Sequence, residues 1–120
     1  MKKTETLKKN YEFKYVLTKG KYYSGKYIEA FCIKNNLQIK KIGIAISTKF
    51  AKAVKRNYIK RLIREGYRLN EEKIEVGNSI VFLVKKKTSF DEISFDKVEK
   101  DIIDILEKIG QVQWKKYLYI

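Results

Sequence analysis

The chain has 120 residues, 44% of them hydrophobic, which suits one domain around one core and leaves too little for two. Its 28 Lys plus Arg against 14 Asp plus Glu give a formal charge of +14, a self-repulsion that a polyanionic partner would relieve. The absence of His removes the commonest general base and metal ligand, and the six glycines stand singly rather than in a phosphate-binding loop.

No apolar run reaches the ~20 residues of a membrane-spanning helix, and Met1-Lys2-Lys3 is followed by Thr-Glu-Thr rather than by an apolar signal stretch. The expectation is a soluble, cytoplasmic protein with no membrane partner. Cys32 stands alone, can form no internal disulfide, and reads as a small core residue.

In chain order, Asn10 is placed to cap a helix over Tyr11–Thr18, with Tyr11, Phe13, Val16 and Leu17 as its apolar residues and Gly20 as its end. Tyr22–Ile33 alternates as a strand, with Ile28, Ala30 and Cys32 on one face and Tyr27, Glu29, Phe31 and Ile33 on the other. After the polar turn Lys34-Asn35-Asn36, Ile42, Ile44 and Ile46 alternate with Gly43, Ala45 and Ser47. That small-residue face leaves two readings open: a trough for an extended ligand, or simple close packing of another element.

A long basic helix follows, from about Ala51 to Asn70. Beyond the turn Glu75–Asn78, the run Ile80–Val84 reads as a strand buried on both faces, and Lys85-Lys86-Lys87 ends it. A final helix, Ser94–Ile109, carries Val98, Ile102, Ile105, Leu106 and Ile109 on its apolar side, with Gly110 as its stop. The order of helix, two or three strands, helix, strand and helix predicts an α+β fold with helices packed on a sheet.

All four arginines of the chain lie between Arg56 and Arg68. Their planar forks grip phosphate and stack on bases, which makes their confinement to one segment of a Lys-rich chain informative. Lys52, Arg56, Lys60, Arg64 and Arg68 recur every fourth residue and form one winding stripe, opposed by Glu65 alone. Val54, Tyr58, Leu62 and Leu69 are then expected to face the core. A helix built only for solubility mixes signs, as the last helix does with Asp96, Lys97, Glu99, Lys100, Asp101 and Asp104. Clustered cations also oppose the helix dipole, and a bound polyanion relieves that cost. A membrane would need an apolar face that this domain requires for its core, and duplex-DNA readers carry a helix-turn-helix or zinc pattern absent here. RNA fits better, with Phe13, Tyr27 and Phe31 available to stack bases.

At this point Ala53-Val-Lys-Arg-Asn-Tyr-Ile-Lys-Arg-Leu-Ile-Arg-Glu65 resembles the signature helix of the bacterial ribonuclease P protein component, Ala-Val-x-Arg-Asn-Arg-x-Lys-Arg-x-x-Arg. Leu7-Lys-Lys-Asn-Tyr-Glu-Phe13 and Gly43-Ile-Ala-Ile-Ser47 support the likeness, which spans about residues 5 to 110. The resemblance implies an α-β-β-β-α-β-α sandwich with a four-stranded sheet and a left-handed βαβ crossover, similar to the second domain of ribosomal protein S5. It implies a domain over 1–110 and a tail over 111–120 that is either disordered or an added contact through Trp114, Tyr117 and Tyr119.

The resemblance further implies an accessory subunit of a tRNA-processing endoribonuclease. Its RNA subunit, with Mg2+, removes the 5′ leader from precursor tRNA, while the protein has no catalytic residue, no bound metal or cofactor, and no small-molecule substrate. Ribonuclease P RNA and precursor tRNA are the implied partners. Arg56, Asn57, Lys60, Arg61 and Arg64 match the RNA-binding motif, which Lys52 and Arg68 extend; Phe13, Leu17, Phe31, Ser47 and Lys86 fall where the family lines its leader cleft. Tyr58 departs from the motif, replacing its second Arg. The alternative is a structural RNA-binding protein of the ribosome.

Overall fold

A computed structural model describes residues 3–117, with side chains as far as Gln111. Strand β1 (Thr4–Thr6) precedes helix α1 (Asn10–Lys19), strands β2 (Lys21–Ser24), β3 (Ile28–Lys34) and β4 (Lys40–Ala45), helix α2 (Ala53–Asn70), strand β5 (Asn78–Val84) and helix α3 (Phe95–Tyr117). The strands form one sheet in the order β1-β4-β5-β3-β2. β4 runs parallel to β1 and β5, while β3 is antiparallel to β5 and β2.

The sheet has five strands where the sequence predicts four. β1 escapes prediction because Thr-Glu-Thr has no apolar alternation; parallel pairing with β4 holds it, continued by Leu7 N–H donating to Ile42 O at 2.9 Å. Thr4 also donates from Oγ1 to Glu71 Oε2 at 3.0 Å, tying the edge strand to the end of α2. The single strand expected over Tyr22–Ile33 is a hairpin. The chain turns at 25–27, where the Asp101 carboxylate of α3 accepts the Tyr27 and Ile28 N–H groups at 2.6 and 2.9 Å.

β5 occupies the middle of the sheet and is buried on both faces, as its unbroken apolar run predicts. Ile80 and Phe82 join Ile28, Ala30, Cys32 and Ile42 beneath α2 and α3, in a large core completed by Ile59, Ile63, Tyr67 and the predicted apolar side of α3. Val81 points the other way and meets Leu7 and Val16 beneath α1.

The core-facing side of α2 differs from the expected one. Ile59, Ile63, Gly66 and Tyr67 are buried, whereas Val54, Tyr58 and Leu69 are exposed and Leu62 lies at the rim. Apolar residues ring most of this helix, so periodicity alone does not choose among their faces. Packing on α3 does, through Gly66, where a Cβ would stand 2.9 Å from Ile102 Cδ1.

Helix ends also shift. α1 starts at Asn10, and the cap is Lys9, whose N–H donates to Glu12 Oε1 at 3.2 Å. Ser94 caps α3, but Gly110 does not end it: the helix continues to Tyr117, because Gln111-Val-Gln-Trp-Lys-Lys contains no proline or turn residue to stop it. The side chains of Trp114, Tyr117 and Tyr119 lie outside the described residues. Among the described residues no helix is long and apolar enough to cross a membrane.

Candidate nucleic-acid interface

The first turn of α2 contains no acidic residue, so its positive dipole end faces Lys52, Lys55 and Arg56 without compensation. Arg56 Nη1 donates to Ala51 O at 2.6 Å, which fixes the guanidinium against the turn that launches the helix. Because α-helical residues are ~100° apart, each four-residue step turns the stripe by about 40°. Accordingly Arg56 and Lys60 are half-buried beside the core, while Arg64 and Arg68 face solvent.

Among the described residues the ion pairs are Lys41–Glu12, Arg68–Glu65 and Lys73–Glu107. Lys52, Lys55, Arg56, Lys60, Arg61 and Arg64 therefore carry cations that no described carboxylate neutralises. Arg68 differs from the rest of the stripe. Its Nε and Nη2 both donate to the Glu65 carboxylate, a bidentate bond that raises the pKa of Arg68 and lowers that of Glu65. Asn57 is exposed beside Arg61.

β1 pairs with β4 only over Lys40–Ile42, so the outer edge of β4 is uncovered from Gly43 onward. There Lys60 and Arg64 overhang a pocket of about 170 Å³ whose other walls include Leu7, Phe13, Ile42 and Ile44. The cationic side of α2 thus reaches Phe13 of α1 around the sheet edge.

On the α1 side of the sheet, Phe13, Leu17 and Phe31 come together, half-buried, with Ala45 and Leu83. The small-residue face is not uniform. Gly43 is close-packed, since a Cβ there would stand 2.5 Å from Phe13 Cε1; Ala45 is partly open and Ser47 is exposed. Ser47 and Lys86 each lie two residues beyond the ends of the paired parallel strands β4 and β5, so both emerge at the same end of the sheet. Tyr27 is not part of this surface. It sits in the β2–β3 turn and packs toward the larger core, with the ammonium groups of Lys26 and Lys97 within 5.5 Å of its ring centroid.

Sequence reasoning missed Tyr22, which pairs with Phe31 across the hairpin at a centroid distance of 5.2 Å. Its hydroxyl donates to Glu29 Oε2, and that bond raises the phenol's pKa. Recognising the turn at Gly25 would have revealed the pair. A second cleft of about 600 Å³ opens on the other flank of α1, between Tyr11 and Tyr15 and the Ile33–Asn35 end of β3. Among the described residues no group of three or more His, Cys, Asp or Glu is placed to hold a metal ion.

A family model described as Ribonuclease P matches residues 1–110. The ribonuclease P protein component of Natranaerobius thermophilus is 36% identical over 113 residues, covering 94% of this chain and 96% of its own. That of Clostridioides difficile is 36% identical over 107 residues, covering 88% and 92%. Among solved structures, the RNase P protein from Thermotoga maritima superposes with a TM-score of 0.78 at 31% identity, covering 87% of this chain and 96% of that one. The Staphylococcus aureus RNase P protein shares the fold, with a TM-score of 0.75 at 23% identity.

Proposed function

The chain belongs to the ribonuclease P protein family, whose members are protein subunits of the endoribonuclease acting in tRNA 5′ processing, and from that premise we propose how its surfaces divide the work. α2 docks the catalytic RNA through Lys52, Arg56, Asn57, Lys60, Arg61 and Arg64. The half-covered α1 face holds the single-stranded leader of precursor tRNA against Phe13, Leu17 and Phe31, with Ser47 and Lys86 at its open end. Arg68 contributes less, because Glu65 already occupies its fork.

The observation that carries this reading is the row of cations on α2 left without carboxylate partners among the described residues. Unpaired charge along a helix is destabilising in isolation and becomes favourable when phosphates release their counterions. The protein supplies binding and positioning, while the bond-breaking chemistry and its magnesium belong to the RNA. Joining Phe13 to Lys60 and Arg64 around the β4 edge lets a strand leaving the sheet cleft pass directly to the RNA-bound helix.

The test is leader removal from precursor tRNA by the cognate RNA at low magnesium, with and without this protein. Stimulation by the protein, and none by the protein alone, is expected; no stimulation overturns the assignment. An Arg56→Ala, Arg64→Ala double variant should weaken binding to the catalytic RNA and flatten its salt dependence by about two units of slope, one per lost phosphate contact.

A further inference from the structure

The solvent side of α2 holds, with a neighbouring turn, an aromatic step that the cationic stripe does not use. Val54 is 80% exposed and Tyr58 41%. The Tyr58 ring lies 6.1 Å from that of Phe90, tilted by 58°, and Lys55 Nζ stands 4.7 Å from the Phe90 centroid. Phe90 is held in place from two directions. Its turn is fixed by Ser89 N–H donating to Glu92 Oε1 at 2.8 Å, and the ring packs against the larger core.

Tyr58 stands three residues before Arg61 and three after Lys55, so on the helix surface it is about 60° from each. Both neighbours are exposed cations without a described ion pair. A generic apolar protein segment covering Tyr58 would bury those charges without compensation. A nucleotide meets both demands: its base stacks on an aromatic face and its phosphates lie against cations. Because Tyr58 is continuous with the surface assigned above, the occupant expected there is the same RNA.

We propose that Tyr58 and Phe90 form a stacking platform for an unpaired base of the RNA bound along α2, with Lys55 and Arg61 holding the adjoining phosphates. The proposal rests on the reading of α2 as the RNA-docking helix. It also gives Tyr58 a physical role in place of the arginine expected at this position: a contact that adds affinity but releases no counterion, and so contributes nothing to the salt dependence.

The experiment measures affinity of the full chain for a ribonuclease P RNA transcript across a salt series, with thermal melting as the control for folding. Tyr58→Ala and Tyr58→Leu should each weaken binding by roughly ten-fold at unchanged salt slope, since alanine substitution of base-stacking aromatics typically costs about five-fold to a hundred-fold or more. Tyr58→Phe should bind like the parent, and Arg61→Ala should lower the slope by about one unit. Tyr58→Leu distinguishes stacking from mere covering of Phe90, because leucine keeps the cover and removes the ring face. Parental affinity for Tyr58→Leu, a loss shared by Tyr58→Phe, or a change of slope with Tyr58→Ala overturns the platform. If the Arg56→Ala, Arg64→Ala double variant also binds like the parent, the docking assignment itself fails; if that variant is weakened while Tyr58→Leu is not, only the platform fails.

Discussion

The two faces of the sheet carry similar apolar residues under very different cover. One is roofed by α2 and α3, of 18 and 23 residues, and its Ile28, Ala30, Ile80 and Phe82 are at most 1% exposed. Among the described residues the other has only α1, whose ten residues make a rod about 15 Å long over five strands spanning about 20 Å. Phe13, Leu17, Phe31 and Ile33 stay half-exposed as a result. Burial is concentrated on the closed face, and the other face keeps apolar surface within reach of solvent.

The sharpest way to break this comparison is to truncate one aromatic on each side. Phe82→Ala, which empties fully buried space against Tyr67, should cost about 3–5 kcal/mol in urea denaturation. Phe31→Ala should cost roughly half as much or less, and its larger effect should be a weakened preference for leader-bearing precursor over mature tRNA. Equal losses of stability would mean that the α1 face is as structural as the other.

Alkaline titration reads chiefly the closed face, which holds the two largest upward shifts. Burial pushes the Cys32 thiol from 9.0, and the Tyr67 phenol from 10.0, up to about 12. Both groups are neutral when protonated and ionise first in the unfolded chain. Their contribution is therefore fully present below about pH 9 and is lost as pH rises toward 12. Urea midpoints should fall over that window, and less steeply between pH 9 and 10 in Cys32→Ala than in the parent. The smallest expected effect is that of Val54→Ser, less than about 0.5 kcal/mol, because Val54 points to solvent. A loss near that of Ile63→Ala, about 2–5 kcal/mol, would restore Val54 to the core.

Much of this was legible beforehand where one physical signal dominated. The apolar run of β5 and the stripe of α3 each admit one reading, and the structure agrees with both. Legibility failed where signals competed or were absent. Seven bulky apolar residues distributed around α2 leave its buried side to be chosen by α3, a long-range partner that periodicity does not see. β1 owes its place to backbone pairing rather than to side chains. The hairpin turn was hidden because apolar residues of both parities flank Gly25, so the switch that puts Tyr23 on the same face as Ile28, Ala30 and Cys32 leaves no break in the pattern. In the candidate site, the cations were readable from the motif and Phe13 and Phe31 from the family resemblance, whereas the partner of Tyr22 depends on the hairpin register and that of Tyr58 on the distant turn that carries Phe90.

Gly43 and Phe13 also leave a mark that evolution should have recorded. With no room for even one methyl group between them, position 43 cannot gain a side chain while Phe13 stays as it is. A lineage that acquires a side chain at 43 must shrink or swing aside the ring at 13, and thereby reshape the cleft that the ring borders. Sequences of this family should therefore vary at the two positions together, and, on the leader-binding role proposed for that cleft, lineages that have exchanged the pair should differ in which leader nucleotides they favour.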